Sequence, residues 1–296
     1  RGLGDVYKRQ ALFRKEAPAE AKLRKINFRT LTRRVKTATD AFIRSQNWQA
    51  YGLLGFTISL CQLTSALYVI KRIKKKFPNL MIVVGGALTP GIAAPGILKK
   101  FPEVDVVVNG EGEMPLYHII DHLRRTPPDL DFSKVQGVFT RTRSETQRPD
   151  QASFSQLNTL DELTAPDYDN YFELLKTFDT GKSFFPTLPV ETSRGCWWKR
   201  AVGSAKVTGC AFCNLNLQWD GYRSKPASQV AAEIDYLTGR HQTLSVAIMD
   251  NVLPKKEAIV MFKQIAALDK DLRLFGEVRA TTPWRELKAM RECGMR

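Results

Sequence analysis

Apolar residues in this chain fall in short unbroken runs, separated by stretches with helical spacing. The runs at residues 53–59, 80–84 and 104–108 are almost wholly apolar, as strands buried on both faces are. Between them, residues 63–77 place Leu67, Ile70 and Ile73 on one helical face, and residues 91–100 and 115–125 also predict helices. Ahead of this block, Leu31, Val35, Ala38, Phe42 and Ile43 alternate with Arg33, Arg34, Lys36 and Arg44, which predicts an amphipathic helix over 31–45. From residue 188 the alternation resumes. Strands are predicted at 189–192, 244–248 and 273–279. Helices are predicted at 228–237, at 254–268 with Pro254 in its first turn, and at 284–293 with Gly294 as the stop. Strand–helix alternation of this kind predicts an α/β fold with parallel sheets covered by helices. Three β/α units in the second block are fewer than a closed barrel requires. Residues 126–183, rich in Pro, Asp, Ser and Thr, read as a linker with a small strand near 135–140. Ligands of parallel sheets bind beyond the carboxyl ends of the strands. Thr57, Ser59, Gly85, Gly86 and the segment 110–113 fall at those ends, and glycine there lets the backbone approach a flat ligand closely.

The chain has 296 residues and a net charge of +15. Residues 1–50 hold thirteen Lys and Arg against four Asp and Glu, so the excess belongs to the start of the chain. The candidate motifs are not basic stripes, and a nucleic-acid partner is not the expected reading. No apolar run is long enough to span a membrane and no export signal opens the chain, so a cytoplasmic protein is expected. Residues 1–10 resemble the in-frame translation of a sequencing adaptor. They are expected to be non-native, with both ends of the chain truncated.

Three of the five cysteines, Cys196, Cys210 and Cys213, lie within eighteen residues. Such a cluster in a reducing compartment points to metal before disulfide. Three ligands leave one position open, whereas a structural site is usually closed by four. The two-residue gap of Cys210 and Cys213 suits a tight turn aiming both thiolates at one centre. Zinc with His241 as fourth ligand, a redox pair, and plain core cysteines are the alternatives that these residues leave open.

The stretch Ser193-Arg-Gly-Cys196-Trp-Trp, followed by Cys210-x-Phe-Cys213-x-Leu-Asn216, resembles the cluster loop of radical S-adenosylmethionine (radical SAM) enzymes. It is most similar to the cobalamin-binding branch that matures ribosomally made peptides. Tyr222-Arg223, Met249-Asp-Asn251 and Glu277-Val-Arg279 extend the likeness. Gly55-Phe-Thr-x-Ser59, Gln62, Gly85-Gly86 and Gly110-Glu-Gly-Glu113 resemble part of the branch's cobalamin domain. The resemblance implies a partial Rossmann-like cobalamin-binding domain at 11–125, a linker at 126–184 and the first half of a radical SAM β/α barrel at 185–296. It implies that Cys196, Cys210 and Cys213 hold a [4Fe–4S] cluster, with S-adenosylmethionine on the open iron. Phe212 would pack near the adenine. Asp250 and Asn251 would meet the methionine amino group, and Glu277 and Arg279, facing into the barrel, the ribose or carboxylate. Thr57, Ser59, Gly85 and Gly86 would meet cobalamin. The implied reaction is methyl transfer, through a 5′-deoxyadenosyl radical, to an unactivated carbon of a peptide or small molecule, with an external electron donor. A radical enzyme that does not methylate, or that acts on a lipid or small metabolite, and a zinc-stabilised nucleic-acid-binding protein are the competing readings. Two features depart from the family. The thirteen-residue gap between Cys196 and Cys210 is long, and no Asp-x-His-x-x-Gly motif supplies a cobalt ligand. The fragment alone is expected to be inactive.

Overall fold

The computed structural model describes residues 27–142, 154–178, 185–202, 204–213, 221–254 and 257–296. Residues 1–10 and Asn216 of the cysteine motif lie outside them.

Helix α1 (Phe28–Ser45) starts where Asn27 accepts the Thr30 amide at 3.0 Å. It leans on α2 (Leu63–Lys76) through Ile43 and Ile73, and Asp40 of α1 accepts hydrogen bonds from Tyr68 and Arg72 of α2. The first sheet has the order β1 (Leu53–Thr57), β2 (Met81–Gly85), β3 (Val106–Val108), β4 (Val138–Phe139). The first three strands are parallel, as expected from their apolar runs, and β4 closes the edge antiparallel to β3. The period-two alternation of strands splits the core by face. Ile82, Val84 and Val107 pack with Ile70 of α2 and with Ala94 and Leu98 of α3 (Ala94–Lys100). Val83, Val106 and Val108 pack on the other side with Ile119 of α4 (Glu113–Arg124) and with Phe132 and Val135. Each such fully buried Val or Ile contributes roughly 1.5–3 kcal/mol.

A short helix, α5 (Asp169–Lys176), lies within the 126–183 segment read as linker. The second sheet is parallel in the order β11 (Arg273–Phe275), β10 (Ser245–Ile248), β5 (Leu188–Val190). Leu188, Val190, Val246, Ile248 and Leu274 face three helices: α6 (Ala227–His241), α7 (Ala258–Ala266) and α8 (Trp284–Glu292). The opposite face is open, with Phe275 59% exposed. Among the described residues this sheet is therefore covered on one side.

Two of the boundaries that differ from the sequence reading bear on the site. The strand expected over 273–279 ends at Phe275, because the β10–β11 ladder ends at the pair Ala247 and Phe275 and nothing continues it. Glu277 and Arg279 therefore lie in the loop that follows. The helix expected from Pro254 begins at Ala258. Its presumed first carbonyl, that of Leu253, accepts the Trp197 indole N–H at 2.9 Å instead.

Candidate functional site

The cysteine segment leaves the carboxyl end of β5 and is closed at its neck by a two-residue pair, β6 (Ser193–Arg194) with β9 (Arg223–Ser224). Arg194 stands opposite Arg223. Just inward, Gly195 and Gly221 both adopt positive φ, and a Cβ on Gly195 would sit 2.3 Å from the Gly221 carbonyl oxygen. Only glycine tolerates that approach. All three clustered cysteines lie on the loop between these glycines.

The long gap between Cys196 and Cys210 is folded into an antiparallel hairpin, β7 (Lys199–Val202) with β8 (Ala205–Thr208). Lys199 pairs with Thr208, and Gly209 donates its amide to the Trp198 carbonyl at 2.7 Å. The hairpin thus returns the chain to its starting point and brings the segments bearing Cys196 and Cys210 side by side. The Cys213 amide then bonds the Cys210 carbonyl at 3.2 Å, which makes the expected tight turn. Cys196 and Cys210 are half-buried and Cys213 is exposed, and none forms a disulfide. Among the described residues no three His, Cys, Asp or Glu side chains are gathered closely enough to hold a single metal ion. The donor set itself, three thiols on one pinched loop, is chemically suited to a thiolate-ligated cluster. His241 is not part of it. It ends α6, ahead of the start of β10, and stacks on Phe172 with ring centroids 4.3 Å apart.

Asp250, expected to meet S-adenosylmethionine, makes a dense set of contacts within the chain. It follows β10 and is buried. One carboxylate oxygen accepts the amides of Thr192 at 2.7 Å and Ser193 at 3.1 Å. The other accepts both of their hydroxyls, that of Ser193 at 2.5 Å. A carboxylate has about four acceptor positions, and all four are filled. In this arrangement Asp250 pins the start of the cysteine loop. Burial pushes its carboxyl above the ordinary range, against the pull of those four donors. Asn251 is exposed beside it and remains available.

Because β11 ends early, Glu277 and Arg279 both lie on the loop beyond it and not on a barrel strand. Glu277 is exposed. Arg279 stacks on Trp198, with its guanidinium 3.4 Å from the ring centroid and its Nε buried without an acceptor among the described residues. The pair lines a cavity of about 240 Å3, together with Trp197, Leu253, Thr282 and Met290. Phe212 is 93% exposed and packs on nothing described.

The first sheet has its own cavity of about 380 Å3 at the carboxyl ends of β1–β3, lined by Thr57, Gly85, Gly86, Gly110 and Gly112 among others. Ser59 is not in its wall. It forms a capping box with Gln62, whose side chain accepts the Ser59 amide at 3.0 Å. Gly86 is in the wall, but its missing Cβ is accounted for by the chain itself. At φ +103, a Cβ would sit 2.7 Å from the Ile58 carbonyl oxygen. A Cβ on Gly85 would meet only ordinary contacts, 3.7 Å from Val108, and one on Gly55 in the same wall would meet nothing within 4 Å.

One group escaped the sequence reading. Glu111, in the segment 110–113, reaches the neck of the cysteine loop. Its two oxygens accept Arg223 at 2.7 and 3.1 Å, the Leu157 amide at 2.6 Å, and an ion pair from Arg194 at 3.4 Å. Arg194 also holds Glu113 at 2.7 Å and Glu191 at 2.9 Å. Burial alone would raise the Glu111 carboxyl. The Arg223 and Leu157 hydrogen bonds, helped by the two guanidinium charges, outweigh it and hold the carboxyl below its usual range. No periodicity reports a pairing across 112 residues. The available signal was charge close to glycine: Glu111 between Gly110 and Gly112, Arg194 before Gly195, and Arg223 two residues after Gly221.

No family model matches the chain. Relatives are found among curated proteins. An uncharacterized methyltransferase of Pyrococcus horikoshii, PH0819, is 27% identical over 253 residues, covering 82% of this chain and 49% of the relative. The anaerobic magnesium-protoporphyrin IX monomethyl ester cyclase of Synechocystis is 26% identical over 227 residues, covering 75% and 40%. The cobalamin-dependent radical SAM methyltransferase TokK of Streptomyces tokunonensis is 35% identical over 78 residues, covering 26% and 11%. The chain thus spans half or less of the length of these relatives. Two of these distant relatives are named methyltransferases, one of them a cobalamin-dependent radical SAM enzyme, and the third is named a cyclase. No helix among the described residues is long and apolar enough to cross a membrane.

Proposed function

We propose that this chain is part of a cobalamin-dependent radical SAM enzyme that transfers a methyl group to an unactivated carbon. The observation that carries the reading is the cysteine loop: three thiols on one glycine-pinched loop at the carboxyl end of a parallel strand. The first sheet would form the Rossmann-like cobalamin domain, and the three β/α units the first half of the barrel. Cys196, Cys210 and Cys213 would ligate the [4Fe–4S] cluster. Asn251 and Arg279 are the groups best placed to receive S-adenosylmethionine, and Thr57 and Gly85 line the cavity suited to part of a cobalamin. When bound, these groups supply radical formation and a methyl donor; the protein's part is to bind and orient them. Asp250 and the neck glycines fix where the loop begins. Trp197 ties the loop to Leu253, and Trp198 holds the Arg279 guanidinium against the cavity wall. The acceptor is a carbon on a peptide or small molecule, and the reductant is an external electron donor in a compartment that keeps the thiols reduced. The peptide acceptor rests on the branch resemblance alone.

Anaerobic reconstitution with iron and sulfide tests the reading. We expect about four irons per chain, the content of one such cluster. Cys213→Ala is expected to lose at least half of that iron while keeping its fold. Stoichiometric zinc in place of iron, or full iron retention in Cys213→Ala, would refute the assignment.

A further inference from the structure

Glu111 lies between Gly110 and Gly112, which both line the cavity of the first sheet. Its own side chain turns away from that cavity into a buried space, where it is 2% exposed. There it meets Arg223 through a two-point fork and Arg194 from the side. These two arginines are the opposed pair that closes the neck of the cysteine loop. Arg223 also donates to the Leu157 carbonyl at 2.5 Å, and the Leu157 amide returns to Glu111. A single carboxylate thus grips both strands of the neck, two residues before Cys196. A fork of this kind fixes orientation as well as distance.

We infer that Glu111 is a positioning residue for the cysteine loop: it clamps the Arg194–Arg223 neck and ties it to the wall of the first-sheet cavity. That the clamp orders cluster ligands rests on the function proposed above. The clamp itself does not.

Thiol alkylation of the cluster-free, reduced chain separates the two. Under anaerobic iodoacetamide, the modification rate of each cysteine is read by peptide mass spectrometry. Cys61, exposed beside α2, reports the intrinsic rate. Cys293 is buried among the helices of the second sheet, and burial pushes its thiol up to about 11, so it reports global opening. In Glu111→Gln the charge is lost with little change of shape. Cys196 should then be alkylated roughly tenfold faster, as expected for losing charge-assisted bonds that restrain local opening. Cys61 and Cys293 should keep their wild-type rates. Arg223→Lys keeps the charge but cannot fork, and should move Cys196 in the same direction by a smaller factor. It carries the test if Glu111→Gln does not fold. An unchanged Cys196 rate, or a rise matched by Cys293, overturns the clamp. Iron uptake is measured in parallel. A wild-type chain that takes up no iron overturns the cluster reading, and selective exposure of Cys196 in that same chain still supports the clamp. Normal iron uptake in wild type with unchanged Cys196 reactivity in both variants overturns the clamp and leaves the cluster reading standing.

Discussion

Removing the Asp250 carboxylate distinguishes a structural pin from a ligand contact. Asp250 accepts from two backbone amides and two hydroxyls, and all of these bonds are buried. The hydroxyls can rotate; that of Ser193 already lies 3.3 Å from the Val252 carbonyl. The Thr192 and Ser193 amides cannot. In Asp250→Ala two buried N–H groups lose their acceptor, each costing about 1–3 kcal/mol, so about 4 kcal/mol is expected. Asp250→Asn keeps one carbonyl oxygen and should lose about half as much, roughly 2 kcal/mol. At roughly 2–4 °C per kcal/mol for a chain of this size, the alanine variant should melt about 10 °C lower. Urea midpoints and melting temperatures of the cofactor-free protein measure both variants. If each loses less than about 1 kcal/mol while S-adenosylmethionine binding weakens, Asp250 is a ligand contact after all and the pin is refuted.

Glu111 makes stability pH-dependent with a definite sign. Its carboxyl is held below its unfolded value in the folded chain by Arg223, Leu157 and Arg194. It therefore stabilises the fold above the unfolded value, and that contribution is lost as pH falls through the depressed folded one. Melting temperature from pH 7 to pH 3 should fall less steeply in Glu111→Gln than in wild type, and parallel curves would contradict the buried ion pairs. At the neck, Gly195→Ala adds a Cβ 2.3 Å from the Gly221 carbonyl at a φ of +84. It should cost about 1–3 kcal/mol and raise hydrogen exchange in residues 196–213; wild-type exchange there would show that the glycine contact does not close the loop.

The sheets were legible because burial writes itself into the sequence. Val106, Val107 and Val108 are apolar whichever face they meet, and the run at 80–84 gave β2 to within a residue. Loop endings were not legible, because they depend on partners distant in sequence. β11 ends at Phe275, where its pairing with Ala247 stops, and the Leu253 carbonyl ahead of α7 accepts an indole from the cysteine loop. The same blindness shaped the site. Asp250 after a strand reads as a ligand group, and only the positions of Thr192 and Ser193 reveal that it also holds the start of the loop. The gap between Cys196 and Cys210 reads as a departure in spacing. In space it is a hairpin, and spacing along the chain overstates the separation of its two ends.

The loop owes its position to polar contacts at both sides of its entrance rather than to a hydrophobic core. Asp250 holds Thr192 and Ser193 from the second sheet, and Glu111 holds Arg194 and Arg223 from the first. Thr192, Ser193 and Arg194 are consecutive, so two carboxylates that follow strands of different sheets grip one short stretch of chain just before Cys196. Buried charge of this kind adds little net stability compared with apolar packing, but its loss is costly and its geometry is specific. A site that must present several thiols to one centre needs orientation more than it needs burial. Directional bonds to fixed carboxylates supply orientation and leave Cys213 exposed on the turn beyond.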